Sequence, residues 1–189
     1  NMKEILRIKI FVSSPSDVKA ERKIVLDVVE EINKIRGLHL NFHIDCYVWE
    51  GRLLSGWGGF QEKINPELED TDIFVGILWS RLGTPTKDSK SGTLEELKIM
   101  EELKKSGRPI EFALFRLMKP LKDKRSYKKI DQVEDFLKEH IGKTFTVKEY
   151  HNIKQFRATL KEHLESKIET LISINRRDKS IVNIKSLQE

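Results

Sequence analysis

The chain has 189 residues, of which 38% are hydrophobic and 34% are charged, and its formal net charge at pH 7 is +5. This composition indicates a soluble globular protein, and its apolar runs are too short to span a membrane. The length suffices for one α/β domain with a full core, or for a domain with a small appendage. The single cysteine, Cys46, excludes an internal disulfide, and no signal peptide precedes the first predicted strand, so we expect a cytoplasmic protein.

The first third of the chain predicts a strand, a helix and a second strand. Arg7–Val12 is rich in β-branched and apolar residues, which favours a strand. Ser14 and Asp17 have the spacing of a helix-capping box, and Gly37 is placed to end the helix that follows. From Leu38 to Val48 apolar and polar residues alternate strictly, which is typical of a strand with one exposed face near a sheet edge.

The central segment predicts a buried strand between two polar loops. Trp49–Gly59 is glycine-rich and indicates a mobile or functional loop, which a short helix over Phe60–Leu68 follows. Ile73–Trp79 is an uninterrupted apolar run, long enough for a strand that is buried on both faces. After a second polar loop, Thr93 is a candidate N-cap for the next helix, with Glu96 at the capping-box spacing.

The last third predicts a strand over Ile110–Phe115, after Gly107 and Pro109 end the preceding helix. A basic loop follows at 119–129; it holds much of the positive charge, so the net charge does not indicate nucleic-acid binding. A helix through 133–137 and a short extended piece at Thr144–Val147 lead into the closing helix. The apolar stripe of that helix consists of Ile153, Phe156, Leu160, Leu164, Ile168 and Leu171.

Strands that alternate with helices predict an α/β fold, a parallel sheet with helices on both faces. We expect one domain over residues 1–173, and the charged segment 174–189 indicates a linker or tail.

The predicted strand ends gather polar and aromatic side chains that would share one rim of a parallel sheet, where ligands bind in open α/β folds. Tryptophan rings suit a nucleobase or a nicotinamide, and arginine suits a phosphate, although each tryptophan also fits ordinary packing. The set comprises Ser13, Ser14, Trp49, Glu50, Ser80, Arg81 and Arg116.

Glu96 has two interpretations. As structure, it is the third residue after Thr93 in a capping box. As chemistry, the helix dipole favours a negative charge there, and a carboxylate beside a sugar stabilises an oxocarbenium-like transition state. Nicotinamide leaves from its cationic form without a general acid, so one carboxylate can suffice. From the residues alone, the structural interpretation is the simpler one.

Metal chemistry is not expected. His39 and His43 share a face of the second predicted strand, but no third ligand has suitable spacing. Cys46 has the parity of the apolar face, which favours a core thiol over a nucleophile.

Two stretches resemble the TIR-like domains of unknown function at the N-terminus of NACHT- and other STAND-type ATPases. They are IKIFVSSPSDVKAERKIVLDVVEEIN, starting at Ile8, and TDIFVGILWSRLGTPTKDSKSGTLEEL, starting at Thr71. The resemblance extends to about Leu171. It implies a flavodoxin-like sheet, shared with TIR domains and nucleoside deoxyribosyltransferases, and a glutamate that acts on a ribosyl C–N bond.

The resemblance implies that this glutamate is Glu96, with Glu95 as the fallback. It implies that the pocket is lined by Ser13, Asp72, Trp79 and Arg81, with Ser14, Trp49 and Thr93 beside them. Thr93 stands where enzymatic TIR domains have a cysteine.

The resemblance therefore implies an effector domain that hydrolyses the nicotinamide–ribose bond of NAD+, its substrate, without a metal or a cofactor, in a defence or signalling protein. It also implies a homo-oligomer when activated and a downstream ATPase or sensor region, without membrane or direct nucleic-acid contacts. Two alternatives stay open: a non-catalytic self-association module, and a nucleotide N-glycosidase or deoxyribosyltransferase.

Overall fold

The structure, a computed structural model, describes residues 5–48, 68, 70–80, 92–120, 124–140 and 145–186. Its strands are β1 Leu6–Ser13, β2 Phe42–Val48, β3 Ile73–Leu78, β4 Glu111–Leu117 and β5 Val147–Tyr150. Its helices are α1 Lys19–Ile32, α2 Leu38–Leu40, α3 Gly92–Lys105, α4 Lys124–His140 and α5 Ile153–Ser186, and a π-helical turn, Asn33–Gly37, joins α1 to α2.

The strands form one sheet in the order β2-β1-β3-β4-β5, and every pair in it is parallel. This is the flavodoxin-like strand order, in which the direction of winding reverses between β1 and β3. The predicted α/β fold is confirmed. β3 lies between β1 and β4, and all six of its residues are buried, as the apolar run of this strand predicts.

Helices cover both faces of the sheet, and alternate residues of each strand enter different cores. On β1, Ile10 and Val12 pack toward α1 and α5, whereas Phe11 packs toward α3 and α4. We call these two sides the α1–α5 face and the α3–α4 face. The closing helix contributes a stripe to the first of them, made of Phe156, Leu160, Leu164, Ile168 and Ile172.

The start of α1 differs from the prediction. The helix begins at Lys19, with Val18 at the N-cap and no capping hydrogen bond from a side chain, so Ser14 and Asp17 do not form a capping box. The Val18 amide instead donates to the Pro15 carbonyl, at 3.4 Å, which closes a turn ahead of the helix. The side chain of Asp17 is used elsewhere, because it accepts hydrogen bonds from the end of β3.

The end of the first helical segment also differs. Helical backbone continues through Gly37 to Leu40, and Asn41 ends it in the left-handed conformation, with φ of 57°. The second strand therefore starts at Phe42 rather than Leu38. Gly37 instead allows the start of β2 to pack closely against the helical segment, because a Cβ built there would lie 2.8 Å from the Phe42 carbonyl oxygen.

Asn33, the first residue of the π-helical turn, binds the outer edge of the sheet. Its Oδ1 accepts from the Ile44 amide at 2.8 Å, and its Nδ2 donates to the Ile44 carbonyl at 3.0 Å. One side chain thus satisfies both backbone groups of a residue on β2, as a neighbouring strand would.

Gly107 ends α3 as predicted. It has φ of +100°, and its amide and that of Arg108 donate to the carbonyls of Lys104 and Leu103, the pattern of a Schellman motif. At the other end of the chain, α5 continues past residue 173, so the predicted domain boundary falls inside a helix.

Within the part of the chain that the structure describes, no helix combines the length and apolar composition needed to cross a bilayer.

Candidate functional site at the carboxyl edge of the sheet

The carboxyl ends of the parallel strands meet at one edge of the sheet, and Ser13 lies at this edge. It is the last residue of β1, pairs with Gly76 of β3 and is fully buried. Alternation from Phe11 puts its side chain on the α3–α4 face. Its hydroxyl has no hydrogen-bond partner among the described residues, so it can serve a bound molecule.

Glu96 lies on the same side of the sheet. α3 follows β3 and leads back to the start of β4, so its first turns lie near the carboxyl edge. Glu96 is in the second turn and only 3% exposed, on the inward helix face that also carries the core residues Leu97 and Met100. A buried glutamate is uncommon in proteins, and its position beside the strand reversal fits a binding crevice.

Thr93 is half-buried in the first turn of α3, one helical turn before Glu96. The described helix includes Gly92, so Thr93 is inside the helix and not at its N-cap. The structure therefore brings three of the predicted site residues, Ser13, Thr93 and Glu96, to one face at one edge of the sheet.

Trp79 lies on the other face. Alternation along β3 directs it toward the α1–α5 core, against which it packs. Its indole N–H donates to the Lys119 carbonyl at 3.1 Å, and the Lys119 ammonium lies 6.0 Å from the ring centroid. Trp79 therefore packs at the rim, on the opposite face of the sheet from Glu96, and the stacking of Trp49 or Trp79 on a ligand ring stays a prediction.

Asp72 is at the opposite end of β3. It precedes the first residue of that strand, and its carboxylate accepts the Lys9 amide at 2.8 Å, which ties β1 to β3 at the amino edge. The expectation that Asp72 lines a pocket at the carboxyl edge is wrong, because the strand separates the two positions by about 20 Å.

Three predicted rim residues, Trp49, Glu50 and Arg81, lie outside the described residues, as do the loops that hold them. Arg116, at the end of β4, donates to the Glu134 carboxylate of α4 at 2.9 Å, so its charge is already partnered. Burial raises the pKa of the Cys46 thiol to about 12, which leaves very little thiolate at neutral pH.

Asp17 joins the predicted rim residues Ser14 and Ser80 in a polar cluster at the carboxyl edge, and the sequence analysis did not predict this role for it. The Ser80 hydroxyl and amide donate to Asp17 Oδ2 at 2.7 and 3.3 Å, which joins the loop before α1 to the end of β3. Ser14 also lies in this loop, and its buried hydroxyl has no partner in the described part of the chain. Asp17 lies shortly after β1, and this position indicates a side chain at the carboxyl edge of the sheet. Its capping-box spacing favoured a structural role in α1 instead.

Tyr150 belongs to the same edge, at the end of β5, and is fully buried. Burial raises the pKa of its hydroxyl, and the charges of Glu21 and Asp17 raise it further. The phenol is therefore a neutral group beside two carboxylates, and it stays protonated at physiological pH.

Comparison with known proteins gives one family. The domain family DUF4062, described as a domain of unknown function, matches residues 9–165. No curated protein matches the chain significantly.

Among solved structures, the chain is similar to homoserine dehydrogenase from S. aureus. The structure determined at pH 7.0 has 14% identity and a TM-score of 0.39 and covers 77% of this chain. The structure at pH 8.5 has 15% identity and a TM-score of 0.37 and covers 79%. The chain spans 33% of the length of both dehydrogenase chains, and neither similarity bears on function. The match over residues 9–165 shows that the chain belongs to the DUF4062 family.

Proposed function

We propose that the chain is a TIR-like domain that hydrolyses the nicotinamide–ribose bond of NAD+, with Glu96 as its catalytic carboxylate. The observation that supports the proposal is the burial of Glu96 beside the strand reversal, on the same face as the Ser13 hydroxyl. Ligands of open α/β sheets bind at this point, outside the carboxyl ends of the strands.

The chemistry requires little more than a carboxylate and one water molecule, in a pocket shielded from bulk solvent. Nicotinamide leaves NAD+ as a neutral molecule and takes both electrons of the C–N bond, so positive charge develops on the ribose. The Glu96 carboxylate stabilises that charge, and a water molecule then attacks the anomeric carbon and releases its proton to solvent. The products are nicotinamide, ADP-ribose and a proton.

Ser13 supplies a binding contact in this scheme. Its hydroxyl can donate to a ribose or phosphate oxygen, and it lies on the face that Glu96 covers. We further propose that the active form is a homo-oligomer, in a longer protein whose downstream ATPase or sensor region controls assembly. Activity is therefore expected when copies of the chain are clustered.

The decisive experiment compares Glu96→Gln with Glu101→Gln in an NAD+ consumption assay on clustered protein. Both glutamates are buried on α3, at 3% and 7% exposure, so the two substitutions disturb the core in a comparable way. Only Glu96 lies near the carboxyl edge. Loss of one preorganised electrostatic partner lowers a rate by about two to three orders of magnitude, which we expect for Glu96→Gln alone.

Circular dichroism and thermal unfolding establish that both variants are folded. Full activity of folded Glu96→Gln, or equal loss in both variants, contradicts the assignment. A clustered wild-type chain that leaves NAD+ intact favours the non-catalytic self-association module. Cleavage of other nucleotides or nucleosides in preference to NAD+ favours the N-glycosidase or deoxyribosyltransferase alternative.

A further inference from the structure

A cavity lies at the other end of the sheet from Glu96. It has a volume of about 330 Å³ and opens beside Glu111, Phe112 and Ala113, the first half of β4. β5 pairs only with the second half of β4, so the cavity occupies the space before β5 begins. Its wall also includes Lys104 near the end of α3, the segment from Phe145 to Lys148 and two residues of α5, so it is lined from both faces of the sheet.

The lining is strongly basic. It includes Lys104, Lys148, Lys167 and His163, against a single carboxylate, Glu111. Burial lowers the pKa of His163, and the charges of Lys148 and Lys167 lower it further, against an opposing effect of Glu162. With His163 neutral, the five ionisable side chains of the wall leave an excess of two positive charges.

Two of the ammonium groups are held in place. Lys104 Nζ donates to the Ile110 carbonyl at 2.9 Å and lies 5.2 Å from the centroid of the Phe112 ring. Lys167 Nζ donates to Glu111 Oε2 at 2.9 Å. Each ammonium has three donors, so both retain donors for a ligand, and little side-chain entropy remains to be lost on binding.

We infer that this cavity binds a small phosphorylated molecule. The lysines come from a helix end, a strand and a second helix, so they approach the space from several directions. Point charges in that arrangement suit a phosphate, whose oxygens point outward in all directions, whereas planar carboxylates are matched by the arginine fork that the wall lacks.

The organic part of the ligand has an apolar surface to contact. The rings of Phe112 and Phe145 lie 5.7 Å apart and both border the cavity. Ligand pockets start at about 300 Å³, so the volume exceeds what a free phosphate needs and suits a compact phosphomonoester. The site is separate from the proposed NAD+ cleft, because it lies where β4 begins and Glu96 lies near where β3 ends.

The test is an NMR titration of the whole chain with inorganic phosphate and with phenyl phosphate, at constant ionic strength, following the ring signals of His163. We expect saturable binding of both probes, tighter for phenyl phosphate because of its aromatic ring. Bound anion raises the pKa of His163, because a nearby negative charge stabilises the imidazolium.

The variants separate a site from general charge attraction. Lys148→Gln and Lys167→Gln each remove one charge-assisted contact and weaken phosphate binding about tenfold. Lys154→Gln makes the same charge change at an exposed position near the start of α5 and leaves the affinity within about twofold. Lys148 is exposed on β5, so its substitution does not endanger folding.

Three results would overturn the inference. Phosphate binding that does not saturate would show general charge attraction rather than a site. Equal weakening of binding by Lys154→Gln and Lys148→Gln would show the same. A pKa of His163 that stays constant while phosphate binds puts the anion elsewhere. Unaltered phosphate affinity in Glu96→Gln is expected, so failure of the NAD+ proposal and failure of this one are distinguishable.

Discussion

Asp72 shows how one carboxylate can be structural where a resemblance implies a pocket residue. Its carboxylate accepts the Lys9 amide at 2.8 Å, between the start of β3 and the middle of β1. Burial raises the pKa of Asp72, and the hydrogen bond from Lys9 opposes this effect only in part. The carboxylate oxygen therefore stabilises the fold as a hydrogen-bond acceptor, whereas burial of its negative charge destabilises the fold.

We predict that Asp72→Asn is at least as stable as the wild type at pH 7, because the amide oxygen keeps the acceptor and the buried charge is gone. The raised pKa means that the folded state binds the proton more tightly than the unfolded state. The advantage of Asp72→Asn therefore shrinks as pH falls and disappears below about 3.9, the unfolded value. Urea unfolding across pH 3 to 7 measures this.

Asp72→Ala is the matched control. It removes the charge and the acceptor together and leaves the Lys9 amide unsatisfied, at a cost of about 1–3 kcal/mol. Equal destabilisation of Asp72→Asn and Asp72→Ala would show that the charge itself is needed.

At the scale of elements, the link between α1 and β2 depends on Asn33. Its amide makes two part-buried hydrogen bonds to the backbone of Ile44. We predict that Asn33→Ala destabilises the domain by about 1–3 kcal/mol, because it leaves both backbone groups without that partner. Asn33→Asp keeps the acceptor and loses the donor, so its effect should be intermediate. Urea unfolding of the wild type, Asn33→Asp and Asn33→Ala measures the order of their stabilities. An unfolding midpoint of Asn33→Ala equal to that of the wild type would refute the prediction.

The elements themselves were largely predictable, because local patterns specify them. The apolar run of β3 predicts a buried strand, and the apolar stripe of α5 predicts a helix with one buried face, and neither prediction needs information on distant residues. The end of the first helical segment was not predictable, because Gly37 is a common terminator yet here allows the Phe42 carbonyl to approach. That contact exists only once β2 has folded back along the helix.

The candidate site was predictable in part for the same reason. A parallel sheet brings Ser13 and the start of α3 to one edge whatever the loops do. The face occupied by Trp79 follows from the alternation of side chains along β3, so it can be derived from the sequence once β3 is assigned. The partner of Asp72 depends on the register of β1 against β3, which no local pattern reveals.

At the scale of the whole molecule, we expect His163 to make the stability of the domain depend on pH. Its ring lies edge-on to Phe115 at 6.0 Å, and its pKa is lowered by burial first and then by Lys148 and Lys167. The folded state therefore binds a proton less readily than the unfolded state. This contribution to stability is complete above about pH 6.5, the unfolded value, and is lost as pH falls below it.

We predict that His163→Gln flattens the stability profile of the domain between pH 7 and 5, measured by urea unfolding at several pH values. His151→Gln removes an imidazole at an exposed position and is the matched control. A slope that His163→Gln leaves unchanged would assign the acid sensitivity to other groups.

The basic cavity could not be predicted from the sequence. Its charged residues run from Lys104 to Lys167 and belong to α3, β4, β5 and α5, and each of them fits a solvated surface when read locally. Only the short length of β5 against β4 opens the space that collects them.

The amide of Asn33 has a consequence beyond the stability of one copy. β2 is the first strand in the sheet order, and its outer backbone groups are a template on which a strand from another molecule could add. Asn33 occupies both groups of Ile44 in the middle of that template. In the clustered form that we propose, this contact hinders the addition of a strand from a neighbouring copy to the β2 edge.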